Sequence, residues 1–324
     1  MNLLSTIKAP IEQEIVAFNS YFKSQFRSDV PLLNSALCYV GESTGKMMRP
    51  MLVMLVAKCV SGVNNRVYAA AAAMEMLHTA SLLHDDVIDE SDKRRGAPSV
   101  NVKFNNNVAV LTGDFLFSQS LNNAAVTQNL NVVQELSILG KALSRGEILQ
   151  IELQQNGLYS EENYLKVISC KTASLFVCSC ACAAYTAGAA AETVSAFREF
   201  GENVGYCFQI KDDIFDYFGD DIGKPTGSDM REGKITLPAL YVLRESSNPL
   251  LAAVREKLKK AEILDEKEIE SLIKISIEEG GIEYANSRIE FYRNRALEAL
   301  PSAIPDDLRQ ALVAYLDYTI QRNK

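Results

Sequence analysis

Long stretches at helical spacing, almost without punctuation, constrain this chain most. "AAAAMEMLHTASLLHDDVID", "NNVAVLTGDFLFSQSLNNAAV", "VVQELSILGKALSRGEILQIELQQ" and "ENYLKVISCKTASLFVCSCACAAYTAG" each repeat apolar residues every three to four positions. Alanine and leucine dominate them, and strand-like alternation bounded by turn residues is missing. The breaks are short: "SGVNNR", "NGLYSEE", "FGDDIGKPTGSDMREGK" and "ESSNP". With no linker, repeat or low-complexity tract between them, residues 1–324 are expected to form one all-α domain. It should be a single large bundle of many helices, several of them long. Some helices are apolar nearly all round, which places them centrally.

At 324 residues with 48% apolar and 23% charged side chains, the chain has ample core for a globular fold. A net charge of −8 disfavours nucleic-acid binding, so an anionic ligand must meet a local basic cluster or metal ions. No run of about 18 uninterrupted apolar residues predicts a membrane span. The first twenty residues carry acids within the apolar pattern and lack a signal-peptide core. Seven cysteines in no framework spacing point to a reducing compartment, hence the cytoplasm. Cys178, Cys180 and Cys182 resemble a metal tract, but the two histidines, His78 and His84, lie far off in sequence, so helix packing is the expected role.

Charge is concentrated in "LLHDDVIDESDKRRG", where five acids precede three bases. Asp85 and Asp89 share one helical face with Asp86 beside them, and like charges at that spacing destabilise a helix unless something offsets them. Lys93 and Arg94 of the following loop could do so. The D-D-x-x-D arrangement recurs far later in "QIKDDIFDYFGDD", as Asp212, Asp213 and Asp216. Local charge balance does not account for both. Two carboxylate clusters closing two helices suit Mg²⁺, which binds through few carboxylates plus substrate phosphates. Calcium-loop spacing is absent. Cations without evident acidic partners accompany the clusters: Lys46 and Arg49 in "GESTGKMMRP", then Lys93, Arg94, Arg95, Lys171, Lys224 and Lys234. Carboxylates interleaved with cations are what diphosphate ligands require. "GESTGK" fails as a nucleotide-binding loop, since three residues separate its glycines and Met47 follows the lysine. No nucleophilic triad is visible, and His84 could simply pack its imidazole against backbone.

Seven motifs in order, "GKMMRP", "LLHDDVIDESDKRRG", "GDFLF", "KTA", "FQIKDDIFD", "GKPTGSD" and "EGKITLP", resemble those of the trans-polyprenyl diphosphate synthases. The resemblance implies an isoprenoid-synthase bundle whose central helices surround a deep apolar cavity. It implies a prenyltransferase that adds isopentenyl diphosphate head-to-tail to an allylic diphosphate primer. Asp85, Asp86, Asp89, Asp212 and Asp216 would form the metal site, with about three Mg²⁺ on the allylic diphosphate. Arg94, Lys171, Lys224 and Lys234 would hold that leaving group, while Lys46, Arg49, His78 and Arg95 would bind isopentenyl diphosphate. Thr172 and Gln209 would border the reacting carbons. The family commonly has paired glycines and a further basic residue in the first motif, where this chain has Thr44-Gly45 and Met47.

The same resemblance bears on product length. Ala80 and Ser81 lie one turn before Asp85, where short-chain members tend to carry aromatics. Each turn rises about 5.4 Å, near one isoprene unit, so small residues favour a long product of roughly 30 to 50 carbons, the class used for quinone side chains. Met76 and Leu77 are larger, yet flexible or off to one side. A homodimer, and peripheral membrane contact for product release, are further expectations of the family. Three alternatives stay open: a short-chain farnesyl or geranylgeranyl diphosphate synthase, a non-catalytic partner subunit of a two-component synthase, and a class I terpene cyclase. The intact second aspartate cluster and the isopentenyl diphosphate grip weigh against the last two.

Overall fold

The computed structural model describes residues 2–42, 45–218 and 226–322. It is helical nearly throughout, and the long apolar runs become long helices: Asn65–Ile88, Asn106–Val126, Leu130–Gln155 and Ala191–Phe215. Among the described residues the only strands are two short ones, Lys93–Arg94 and Ala97–Pro98. The all-α expectation therefore holds. The chain resolves into two compact units, each assembled from separated segments. The first comprises Met1–Gly140, Leu175–Gly201 and Ala299–Tyr318; the second comprises Lys141–Ser174, Glu202–Glu298 and Thr319–Lys324.

The interior of the first unit is built around the Asn65–Ile88 helix. Asn64 caps it by accepting N–H groups from Arg66 and Val67, satisfying two of the donors a helix start leaves open. Ala69 to His78 are then buried without interruption, as expected of a helix apolar all round. It packs along Asn106–Val126, with Gly113 at the closest approach: a Cβ there would lie 2.3 Å from His84 Nε2. His84 bonds the Val110 carbonyl at 3.1 Å, so its imidazole is a packing group. Cys178, Cys180 and Cys182 are likewise buried and free, on a helix at Ser174–Thr186.

The pair of short strands was not anticipated from the sequence. Lys93 pairs with Pro98 and Arg94 with Ala97, leaving Arg95-Gly96 as a two-residue loop. Both loop residues have positive φ, 54° and 79°, as a type I′ hairpin turn requires. Glycine accepts that geometry freely; arginine does so at a steric cost.

One helical stretch, Glu161–Thr186, is long and apolar enough to cross a membrane, and two-thirds of its apolar window (67%) is buried. The core helix of a globular protein has this character.

Candidate active site

In the first unit, the Asn65–Ile88 helix ends on its aspartates. Asp89 is its C-cap, donating its backbone N–H to the Asp85 carbonyl at 2.8 Å. Carboxylates at a helix C-terminus oppose the macrodipole at roughly 0.3–1 kcal/mol each, so this placement costs stability and invites a cation. Asp86 differs from its neighbours. Its carboxylate is buried at 1% exposure and ion-paired with Arg94. The loop thus balances Asp86, and Arg94 and Asp86 are committed to each other.

Three arginines of this unit act on the buried residues of the same helix. His78 and Glu75, one turn apart, both lie within the field of Arg49 and Arg95. Burial, reinforced by Arg49, Arg95 and Arg94, pushes the His78 pKa well below its ordinary value, so the imidazole is neutral. Burial raises the Glu75 carboxyl, against the pull of the two arginines. Gly45 leaves room for the Arg95 guanidinium, whose carbon would stand 3.0 Å from a Cβ there. Lys46 donates to the Tyr318 hydroxyl at 2.8 Å. Met47, between Lys46 and the Met48–Val60 helix, is left-handed at φ 53°, a strained conformation for a side chain of its size. Arg49 Nε, His78 Nδ1 and Glu75 Oε2 are all buried without a hydrogen-bond partner. Native interiors rarely leave such atoms unsatisfied, and of the three the Arg49 Nε–H is a charged donor that an anion could engage. Glu75 was not singled out in the sequence, although it is the sole charge in an alanine-rich run.

In the second unit, Lys171 and Thr172 lie on a π-helical segment, Ser169–Ala173, between the helices Glu161–Ile168 and Ser174–Thr186. Insertions of this kind recur at functional sites because they re-aim side chains. Two glycines clasp the segment. A Cβ on Gly146 would lie 2.9 Å from Cys170 Cβ, and one on Gly205 only 2.4 Å from Ala173 Cα. That approach lets Gln209, one turn beyond Gly205, accept the Thr172 hydroxyl proton at 2.6 Å. Gln209 Nε2 donates onward to Asp213 Oδ1 at 2.7 Å, and the Tyr164 hydroxyl donates to Asp213 Oδ2 at 2.6 Å.

Lys171, Thr172, Gln209, Asp213 and Lys234 line one cavity of about 270 Å³, with Tyr164, Gln150 and Asp229. The lysines are not the unpartnered cations expected. Lys171 pairs with Glu147 at 2.6 Å and Gln150 at 3.1 Å, and Lys234 with Glu232 at 2.5 Å. The Glu147 partner comes from another helix, which spacing alone does not reveal. Asp212 pairs with Arg322 at 2.5 Å, whose guanidinium stacks on Phe208 at 3.8 Å. Asp216 instead accepts the backbone N–H groups of Ser228 and Asp229 at 3.0 and 3.1 Å. Burial and the neighbouring Asp229 raise the Asp213 carboxyl to about 8; burial and Asp216 raise Asp229 to about 6. Lys224 lies outside the described residues. Among the described residues, no three Asp, Glu, His or Cys side chains are grouped closely enough to hold a metal alone. Mg²⁺ bound by few carboxylates with substrate phosphates needs no such group.

Ala80 is buried, and the Ser81 hydroxyl turns back to donate to the His78 carbonyl at 2.9 Å. Met76 and Leu77 are buried as well, and Met76 Sδ accepts from Asn123 Nδ2 at 3.5 Å.

An all-α fold that carries a D-D-x-x-D cluster near the end of each of two helices, with lysines and arginines in the same company, defines an isoprenoid synthase. The polyprenyl synthetase family model matches residues 30–276, and the chain belongs to that family. It is 32% identical to the octaprenyl diphosphate synthase of Escherichia coli over 99% of each chain. Among solved structures, a polyprenyl synthase from Caulobacter crescentus complexed with calcium and isoprenyl diphosphate is similar, with TM-score 0.90 and 30% identity over 99% of this chain and 98% of that one. A geranylgeranyl pyrophosphate synthase from Bacteroides thetaiotaomicron aligns with TM-score 0.85 and 41% identity, over 99% of this chain and 100% of that one.

Proposed function

We propose that this protein is a long-chain trans-polyprenyl diphosphate synthase, condensing isopentenyl diphosphate head-to-tail onto an allylic diphosphate. The observation that carries this is the repeated D-D-x-x-D cluster, placed in both instances where a helix ends. Asp85, Asp89, Asp212 and Asp216 are the carboxylates for divalent metal, in keeping with the calcium complex of the Caulobacter relative. Magnesium, when bound, supplies Lewis-acid assistance to departure of the allylic diphosphate. Lys171, Lys224 and Lys234 hold that group as it leaves. The release of Lys171 from Glu147, and of Lys234 from Glu232, is part of binding. Arg94 is oriented by Asp86.

Lys46, Arg49, His78 and Arg95 hold isopentenyl diphosphate. Arg49 Nε offers it a donor that the protein itself leaves unused, and Glu75 lies within the field of Arg49 and Arg95. Thr172 and Gln209 turn oxygens toward the reacting carbons, where developing positive charge is stabilised. Exclusion of water protects the cation from capture as an alcohol. Family membership and the similarity to octaprenyl diphosphate synthase support a long product suited to a quinone side chain. The whole chain works as one synthase domain in the cytoplasm, paired as a homodimer, with no membrane span. The similarity to a geranylgeranyl pyrophosphate synthase keeps a short-chain product as the second reading.

Purified protein given isopentenyl and farnesyl diphosphates with Mg²⁺ should make a long polyprenyl diphosphate. Asp85→Ala and Asp212→Ala should each lower turnover by several orders of magnitude with helical content intact, because metal assistance supplies several kcal/mol of the barrier reduction. Near-normal turnover of either variant at saturating Mg²⁺ would refute the assignment. A product ending at the geranylgeranyl length would select the short-chain reading.

A further inference from the structure

We propose that Asp213 is a positioning residue, which acts through Gln209 to set the polarity of the oxygens beside the reacting carbons. The proposal rests on the placement of Thr172 and Gln209 beside those carbons. A glutamine amide has two nearly isosteric ends, and nothing in its shape decides which of them faces Thr172. Asp213 decides it. Its Oδ1 accepts Gln209 Nε2 at 2.7 Å, so Gln209 Oε1 must turn to Thr172, whose hydroxyl donates to it at 2.6 Å. The Tyr164 hydroxyl fixes the other carboxyl oxygen at 2.6 Å. Tyr164 and Asp213 are both buried, and the carboxyl is 5% exposed. Every hydrogen bond on the Thr172 side then points toward the carboxyl, and such chains strengthen along their length. With its proton engaged on Gln209, the Thr172 hydroxyl keeps both lone pairs for positive charge. An amide turned the other way would place an N–H against Thr172 and orient the hydroxyl proton outward, toward the cation. Asp213 is thereby distinct from Asp212 beside it, which faces Arg322.

The test compares Asp213→Ala, Asp213→Asn, Tyr164→Phe, Gln209→Ala and the double variant Asp213→Ala/Gln209→Ala in the full-length enzyme. The asparagine can still accept from Gln209 and donate to Tyr164, so it should keep at least a third of wild-type kcat. The alanine should lose tenfold or more in kcat, while KM for both diphosphates and the half-saturating Mg²⁺ concentration change less than twofold. Removing Asp213 in the Gln209→Ala background should cost less than twofold further. Tyr164→Phe should fall between wild type and Asp213→Ala, which keeps the proposal testable if the alanine variant folds poorly by circular dichroism. The proposal is overturned if the alanine variant folds and retains kcat, or if its loss is undiminished in the Gln209→Ala background. It is also overturned if asparagine fails as badly as alanine with a raised Mg²⁺ requirement, which would make Asp213 a metal ligand. Normal kcat in Gln209→Ala itself would instead refute the placement of Gln209 at the reacting carbons.

Discussion

Buried among arginines, His78 has a signature in solution that does not depend on substrate. Its folded pKa lies well below the ordinary 6.5, so an unfolded chain takes up a proton that the folded one refuses. The stabilisation is full above about pH 6.5 and is lost as pH falls below it, at up to about 1.4 kcal/mol per pH unit. Glu75 works in the opposite sense, since burial raises its carboxyl. The His78 contribution is therefore read as a difference: between pH 7 and 5.5, urea denaturation of wild type should lose more stability than that of His78→Gln. Equal losses would mean that the imidazole is protonated in place. At this scale the sequence displayed the two aspartate clusters and the cations beside them, because the same charged pattern repeats, whereas Glu75, a lone acid in an apolar run, did not stand out. The partners of those clusters and cations were hidden. Glu147 reaches Lys171 from another helix, and Tyr164 reaches Asp213 across 49 positions, so neither pairing has a local pattern.

Elements were legible in proportion to their length. The long helices follow from apolar spacing summed over many residues. The Arg95-Gly96 turn and the π segment at Ser169–Ala173 each hang on one or two residues whose backbone is set by tertiary contact, and periodicity does not register them. The Asn65–Ile88 helix carries the prediction on product length. Ser81 is half-buried and Ala80 buried on the turn before Asp85, so Ser81→Phe disturbs the interior less. Overpacking typically costs about 1–3 kcal/mol, which a domain of this size tolerates. Either variant should shift the product to farnesyl or geranylgeranyl length while retaining turnover. An unchanged long product from both, by thin-layer chromatography, would mean that the tail runs elsewhere.

For the molecule as a whole, the Asn106–Val126 helix leaves Val110, Phe117 and Leu121 on one face, 38–41% exposed. A recurring apolar stripe on so buried a chain supports the proposed homodimer, whose symmetry would set the stripe against its own copy. Sedimentation should show twice the 35.8 kDa chain mass, and Phe117→Glu/Leu121→Glu should reduce it to one. A monomeric wild type would remove the homodimer from the proposal. The clasp of Gly146 and Gly205 around the π segment bears on how such an enzyme can be redesigned. Neither position tolerates even a methyl group without moving the backbone that aims Lys171 and Thr172. Directed-evolution libraries that randomise both would consist largely of inactive clones. Diversity is better spent on the helix turn before Asp85, where side-chain size can vary while the diphosphate grips stay in place.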